Sequence, residues 1–582
     1  MLGTYASLLV VLGASALVGQ AILVASGHRD WSWLSPAIGL AALCALAWWT
    51  VRLPGEGIAA IAAIGVAAVL AAGYLYGRVR AAGAAGGGGG LIALAAVALA
   101  SLPFIIEGRF GILGTGLNPD MSQHLFAADR LAAGLSERLI SSGYPLGPHS
   151  LAVAVAKLGP STVHAFDGLM IAGAVAACLA AAVVLYEMKG WLRFSGALVA
   201  GFAYLVAAYF VQGAFKETLQ ALFLVAFAVW LLRLSRPEPD GDRPSALRAV
   251  PLAVLGIGSV YVYSFPGLLW LAGALGVWAL VELVRVRRAG GGGEVRRAAT
   301  ALARPAGIAA GVFGLAVLPE VGRMVDFASF ETFNPAGSGL GNLFNRLSPL
   351  EALGIWPSGD FRVEPGDGSV PAVVFYLGAA AGLAALGFGL SWWWRRGDRA
   401  LPAALTAAAA LWLYALIAGT PYQEAKALVL LAPLVAMIGV RALCAGAPAL
   451  LAAAFLAASG GSSALVLANG PVGPSAYSPD LAELRPTLGP GAVVVYAPPE
   501  LLDEQHGRDY LVWELRGNRI CVAPEGAPAP AGVRTAVSVI LDDDGAVMPE
   551  GVIKNRSQPA AVESECPFIA DGDRADPSAA AG

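Results

Sequence analysis

The chain has 582 residues, 57% of them hydrophobic and 13% charged, with a mean hydropathy of +0.68. A soluble protein of this length carries about 25% charged residues, so the composition excludes an ordinary soluble globular fold and predicts a polytopic α-helical membrane protein. The net charge is −3, and the absence of a basic, aromatic-interleaved patch excludes nucleic acid as a partner.

Apolar runs recur to about residue 468, most of them long enough to cross about 30 Å of hydrocarbon. Spans are predicted near 4–26, 36–51, 57–77, 91–106, 165–187, 194–211, 218–232, 249–263, 267–284, 305–322, 371–394, 401–418, 425–441 and 448–468, about 14 in all. The first lacks the positive flank of a signal peptide and reads as a span. Excess Ala, Gly and Arg over Lys suggests a GC-rich bacterial genome, and hence a bacterial plasma membrane. Arg78 and Arg80, Lys189 and Arg193, Arg233 to Arg248, the six arginines from Arg285 to Arg304, Arg395 to Arg399, and Arg441 fall on one side if the spans alternate. The positive-inside rule makes that side the cytoplasm. Both termini, the loops 107–164 and 323–370, and the turns at Lys216 and Tyr422 then face outward. The glycine runs at 86–90 and 290–293 are cytoplasmic linkers without the Lys-Ser/Thr ending of a phosphate-binding loop.

Residues 470–582 differ in kind, with 8 Lys/Arg against 17 Asp/Glu, leaving 29 and 23 for the rest of the chain. "GAVVVYAPP" and "TAVSVILDDD" read as strands, and "SPDLAELRPTL" and "PPELLDEQHGRDYLVWELRG" as helices. A small extracytoplasmic α/β domain is expected, with a disordered end. Asp542, Asp543 and Asp544 read first as a solvated strand end and second as a cation site. Cys44, Cys178 and Cys444 sit in apolar runs as small buried residues. Cys521 and Cys566 lie in the tail, where a disulfide is as open as two free thiols.

Ionisable residues are costly in a membrane and mark sites; here they gather at outward span ends. In "GTGLNPDMSQHLFAADRL" (114–131), Asn118 is placed as helix cap, Pro119 as first helical residue and Asp120 in the first turn. Asp120 and His124, at i and i+4, share one face of a helix whose apolar side would lie along the membrane surface. Asp120 serves equally to offset the helix dipole. Lys216, in "VQGAFKETLQ", and Lys426, in "GTPYQEAKALVLLAPL", are two of only five lysines. They read as phosphate contacts or as snorkelling side chains, with Glu217 and Glu424 available for local ion pairs. Arg323 and Arg346, in the aromatic-rich second loop, are further phosphate candidates, and His149 follows a Pro-Leu-Gly-Pro turn.

An outward loop directly after a span, with an acidic residue near its start and an amphipathic helix behind it, resembles the first extracytoplasmic loop of GT-C glycosyltransferases. "SSGYPLGPHSLAVAVAKL", carrying Tyr144 and His149, is similar to the Tyr-Pro-x-Gly-x-His segment of actinobacterial members. The resemblance covers roughly residues 91–468, leaving 1–90 as additional N-terminal helices and 470–582 as the outer domain. It implies a glycosyltransferase that moves a sugar from a polyprenyl-phosphate donor to a glycan, lipid or protein acceptor of the cell envelope, in arabinan or mannan synthesis, by a single inverting displacement. Asp120 would be the general base, since a sugar hydroxyl needs a proton acceptor at neutral pH. His124 would orient Asp120 or bind the acceptor. Lys216, Lys426, His149, Arg323, Arg346, Tyr144, Tyr422 and Glu424 would bind substrate. The sequence departs from the family pattern in having three spans before the loop and no acidic residue adjacent to Asp120, the nearest being Asp129. No metal site is therefore assigned, and a divalent cation stays open.

Two rivals are a polyprenyl-linked glycan ligase, polymerase or flippase and a non-enzymatic membrane scaffold or transporter. A ligase or polymerase would rely on Arg and His rather than a carboxylate. A transporter calls for paired broken spans with mid-membrane polar residues, and the sequence offers no clear pair.

Overall fold

A computed structural model describes residues 1–79, 88–115, 117–118, 120–134, 143–235, 245–328, 339–341, 343, 345–473, 478–488, 492–502, 508–516, 518–528, 533, 535–541, 547–553 and 569–570. The chain is a polytopic α-helical membrane protein with a small C-terminal sheet. Among the described residues nine helices are long and apolar enough to cross a bilayer, or ten if Gly190–Gly201 and Tyr204–Val211, bent by 54°, form one span.

The sequence leads to an expectation of about fourteen; two of the expected spans are short helices, and three fall in one helical stretch that counts once. Ser35–Val51 and Gly89–Ala100 are apolar but have 17 and 12 residues, covering about 26 and 18 Å of a ~30 Å core. The expected spans 249–263, 267–284 and 305–322 fall almost wholly within one 68-residue helical stretch, Val250–Val317, interrupted by non-helical backbone at Ser264, Gly290 and Gly291. Tyr261 Oη donates to the Ala316 carbonyl at 2.7 Å and Arg248 Nη2 to that of Ala301 at 3.5 Å. Residues 248–261 thus run beside 301–316 in the same direction, which requires the chain to reverse twice between them. The two interruptions supply those reversals.

The Val250–Val317 stretch is therefore three successive passes, as the expected spans 249–263, 267–284 and 305–322 had it, turned at Ser264 and at Gly290–Gly291. At the first break Ser264 has φ 58° and ψ −154°, a region costing about 1–3 kcal/mol for a residue with a side chain. Gln220 Nε2 donates to the Gly267 carbonyl at 3.0 Å, satisfying backbone that the break frees.

Small residues let the spans approach closely. A Cβ on Gly19 would lie 1.8 Å from the Ser35 carbonyl oxygen, and one on Gly39 1.8 Å from that of Ser15, so the first two helices touch backbone to backbone. Thr162–Val184, Phe215–Leu234 and Pro421–Gly446 are the innermost spans, with 83%, 83% and 89% of their apolar windows buried, against 22% for Glu56–Leu75. Phe215–Leu234 and Pro421–Gly446 begin with the segments that carry Lys216 and Lys426.

The C-terminal sheet has the order β4-β3-β1-β2-β5. Strand β1 (Ala492–Ala497) runs parallel to β2 (Arg519–Pro524) and β3 (Thr535–Leu541), while β4 (Val547–Ile553) and β5 (Ile569–Ala570) are antiparallel edges. The two predicted strands are β1 and β3, and the predicted helices appear as Pro479–Leu488, Pro499–Leu502 and Arg508–Glu514. Cys521 is disulfide-bonded; Cys566 and the Asp542–Asp544 cluster lie outside the described residues. The linker into this domain pairs with the first loop: Gly114 N donates to the Pro471 carbonyl at 2.9 Å and Gly473 N to that of Ile112 at 2.8 Å.

Candidate active site

Asp120 opens the helix Asp120–Ala132, and its backbone N–H is capped by Asn118 Oδ1 at 3.0 Å; Pro119 lies outside the described residues. The apolar side of this helix does not rest on lipid as expected. Met121, Leu125, Ala128 and Leu131 are buried by protein, because the helix packs on the following Gly147–Ala156 helix.

His124 turns into that interior, and its partner is His149 rather than Asp120: Nδ1 lies 3.1 Å from His149 Nε2. Phe215 stands edge-on at 4.7 Å from the His124 ring and Phe166 at 5.7 Å from the His149 ring. Burial, then the Lys216 charge, lowers His149 to about 3 and holds His124 well below the usual imidazole range. Both rings are neutral at physiological pH, so one donates to the other. His149 Nδ1 is buried with no hydrogen-bond partner among the described residues.

Lys216 Nζ donates to Tyr144 Oη, and burial followed by the negative charge of Asp120 keeps that phenol protonated. Arg323 Nη2 donates to the Tyr144 carbonyl at 2.6 Å and Nη1 pairs with Glu320 at 2.9 Å, while the guanidinium stacks 4.3 Å from Trp48. Arg323 thus braces Tyr144. Arg346, half exposed, pairs with Glu424 and donates to the Leu416 carbonyl at 3.2 Å. Neither arginine lines the cavity described next.

Lys426 Nζ lies 3.1 Å from Glu217 Oε1 and 4.1 Å from the Tyr422 ring. Tyr422 Oη in turn donates to Asp120 Oδ2 at 3.4 Å, and Tyr263 Oη to Glu217 at 3.4 Å. A cavity of about 180 Å³ opens at this cluster. Its polar wall comprises Tyr144, Lys216, Glu217, Tyr263, Gln423 and Lys426, and its apolar wall includes Leu269, Trp270, Phe327, Leu411 and Leu430. Asp120 does not line it, but Tyr422 links Asp120 to Lys426 of its wall. Two ammonium groups against one carboxylate give the wall a net positive charge, suited to a phosphate with an apolar tail. Among the described residues no group of three or more His, Cys, Asp or Glu is placed to hold a metal ion.

The structure brings Asp120, Tyr144, Lys216, Tyr422 and Lys426 to one end of the bundle, adds the His124–His149 pair behind them, and leaves Arg323, Arg346 and Glu424 at its margin. Sequence reasoning missed Tyr263 and Gln423. The signal for Tyr263 was the Pro of "VYVYSFPG", which interrupts an apolar run beside two tyrosines.

The chain is similar to the arabinofuranosyltransferase AftD from mycobacteria, known from a single-particle cryo-EM structure, with 16% identity and a TM-score of 0.47. The likeness covers 78% of this chain and 35% of that one, so this chain spans about a third of that protein's length. No family model and no curated protein matches the chain.

Proposed function

We propose that the chain is a GT-C-type membrane glycosyltransferase acting at the outer face of a bacterial plasma membrane. It moves a sugar from a polyprenyl-phosphate donor to a cell-envelope acceptor by a single inverting displacement. One observation carries the reading: the Asp120 carboxylate is linked through Tyr422 to Lys426, at a cavity with a cationic wall and an apolar wall. The proposed base thus stands one side chain away from a proposed phosphate-binding cation.

Asp120 accepts the proton of the acceptor hydroxyl as its oxygen bonds to the anomeric carbon. The bond from that carbon to the phosphate oxygen breaks, and the charge left on the lipid phosphate is met by Lys216 and Lys426. Glu217, bound to Lys426, fixes that ammonium group. The apolar wall takes the first isoprene units. The C-terminal domain, attached at this same end, is read as extracytoplasmic and as a surface for the acceptor glycan.

The test is Asp120→Asn in purified full-length protein, supplied with farnesyl-phosphoryl arabinofuranose or mannose. Transfer should fall by about 10²–10⁴-fold with farnesyl phosphate binding intact. Full transfer by that variant removes Asp120 as the base, and loss of transfer on replacing Arg323 or His149 instead favours the ligase reading.

A further inference from the structure

We infer that Asp129 is a positioning residue through which the C-terminal domain holds the Asp120 helix in register with the cavity. The inference rests on the function proposed above for its catalytic consequence, but the contacts stand independently of it.

Asp129 lies nine residues after Asp120 on the same helix, a rotation of about 180° and a rise of about 14 Å. One face of the helix therefore presents Asp120 to Tyr422 while the opposite face carries Asp129. Both oxygens of Asp129 are used. Oδ1 accepts from Thr162 Oγ1 at 3.2 Å, at the start of the central span Thr162–Val184. Oδ2 accepts from Trp513 Nε1 at 3.0 Å and pairs with Arg516 Nε at 2.7 Å. A single carboxylate thus ties together the loop helix, a central span and the C-terminal domain.

The helix Arg508–Glu514 that delivers Trp513 divides its side chains between two cores. Leu511 and Val512 pack with β1 and β3 inside the C-terminal domain, whereas Tyr510 and Trp513, 1% and 4% exposed, belong to the core of the membrane domain. This is a packed junction rather than a tether. A second contact brackets the other end of the loop helix, where Gly114 and Ile112 pair with Pro471 and Gly473. Asn118, which caps Asp120, donates its backbone N–H to Gly114 O at 2.9 Å within that paired segment. The C-terminal domain at 129, and the linker into it at 112–114, hold the chain on both sides of Asp120. Lys216 and Lys426 sit on other spans that Asp129 does not touch. Loosening the junction should therefore displace the base without disturbing the phosphate site.

The experiment uses the full chain in lipid nanodiscs with Asp129→Ala, and with Asp129→Asn as a conservative variant that keeps one acceptor oxygen. Amide exchange over 112–132 should accelerate by about tenfold or more in the Ala variant and less in the Asn variant, with β1 to β3 unaffected. Turnover of farnesyl-phosphoryl arabinofuranose or mannose should show kcat lowered by about tenfold with KM held within about twofold, as a displaced base requires. Unchanged exchange over 112–132 in both variants overturns the inference, as does faster exchange with unchanged kcat. If Asp120→Asn keeps full transfer while Asp129→Ala still loosens 112–132, the base assignment fails and the junction stands; unchanged exchange with an inactive Asp120→Asn gives the converse.

Discussion

Tyr422 Oη donates to Asp120 Oδ2 across 3.4 Å, joining the first turn of a loop helix to the first turn of a central span 302 residues later. The same tyrosine ring lies 4.1 Å from Lys426 Nζ, so one side chain touches both the proposed base and a proposed phosphate cation. Replacing it with Phe keeps the cation–ring contact and removes only the hydroxyl. Tyr422→Phe should lower kcat by about three- to tenfold, corresponding to a net hydrogen bond of about 1 kcal/mol, and leave farnesyl phosphate affinity unchanged. Steady-state kinetics with a binding titration separates the two effects.

Glu217 is buried and bound to Lys426 at 3.1 Å. Lys426→Met alone strands that carboxylate and should destabilise the fold by about 3–5 kcal/mol. The double variant Lys426→Met/Glu217→Gln should recover most of the stability and still bind farnesyl phosphate weakly. Thermal melts and phosphate binding, compared across the three proteins, check this. Recovery of binding in the double variant would show that Lys426 serves only to neutralise Glu217.

The neutral His124–His149 pair predicts a pH dependence of stability. His149 is lowered from 6.5 to about 3 by burial and by Lys216. A group with a depressed native pKa lets the unfolded chain take up its proton first. Its contribution is full above pH 6.5 and is lost as pH falls toward about 3, with a slope of up to about 1.4 kcal/mol per pH unit. His149→Gln, which keeps a hydrogen-bonding group without titrating, should show a shallower fall in melting temperature between pH 6.5 and 4. An identical pH profile for both proteins would count against the pair.

Ser264 holds φ 58° where the Val250–Val317 stretch first breaks. Glycine adopts that conformation without a Cβ penalty, so Ser264→Gly should raise stability by about 1 kcal/mol. Turnover should stay unchanged, since the break itself keeps Tyr263 at the cavity. Chemical denaturation of the detergent-solubilised protein gives the first quantity and the donor assay the second.

Much of the architecture was legible in the chain itself because its causes are local. Apolar runs of membrane length, arginines clustered between them, and a change to an acidic, strand-forming tail are statements about composition over ten to twenty residues. The same holds for the start of the loop helix at Asn118–Asp120, where a short polar cap and a first-turn carboxylate are readable without any fold. Lys216 and Lys426 were singled out by their scarcity and by their places at span ends, also local facts.

The pairings were set by the tertiary structure. By sequence His124 would orient Asp120 one turn away or bind the acceptor, but an aromatic pocket formed by distant segments brings it against His149. Arg323 and Arg346 looked free to meet a phosphate, yet Glu320 and Glu424 engage them. The reversals at Ser264 and Gly290–Gly291, and the junction of Asp129 with Trp513 and Arg516, depend on contacts between residues far apart in sequence. Periodicity and charge determine which segments enter the membrane and where helices begin. Which buried charge meets which partner is decided only when the spans pack, because the cost of an unpaired charge depends on what surrounds it.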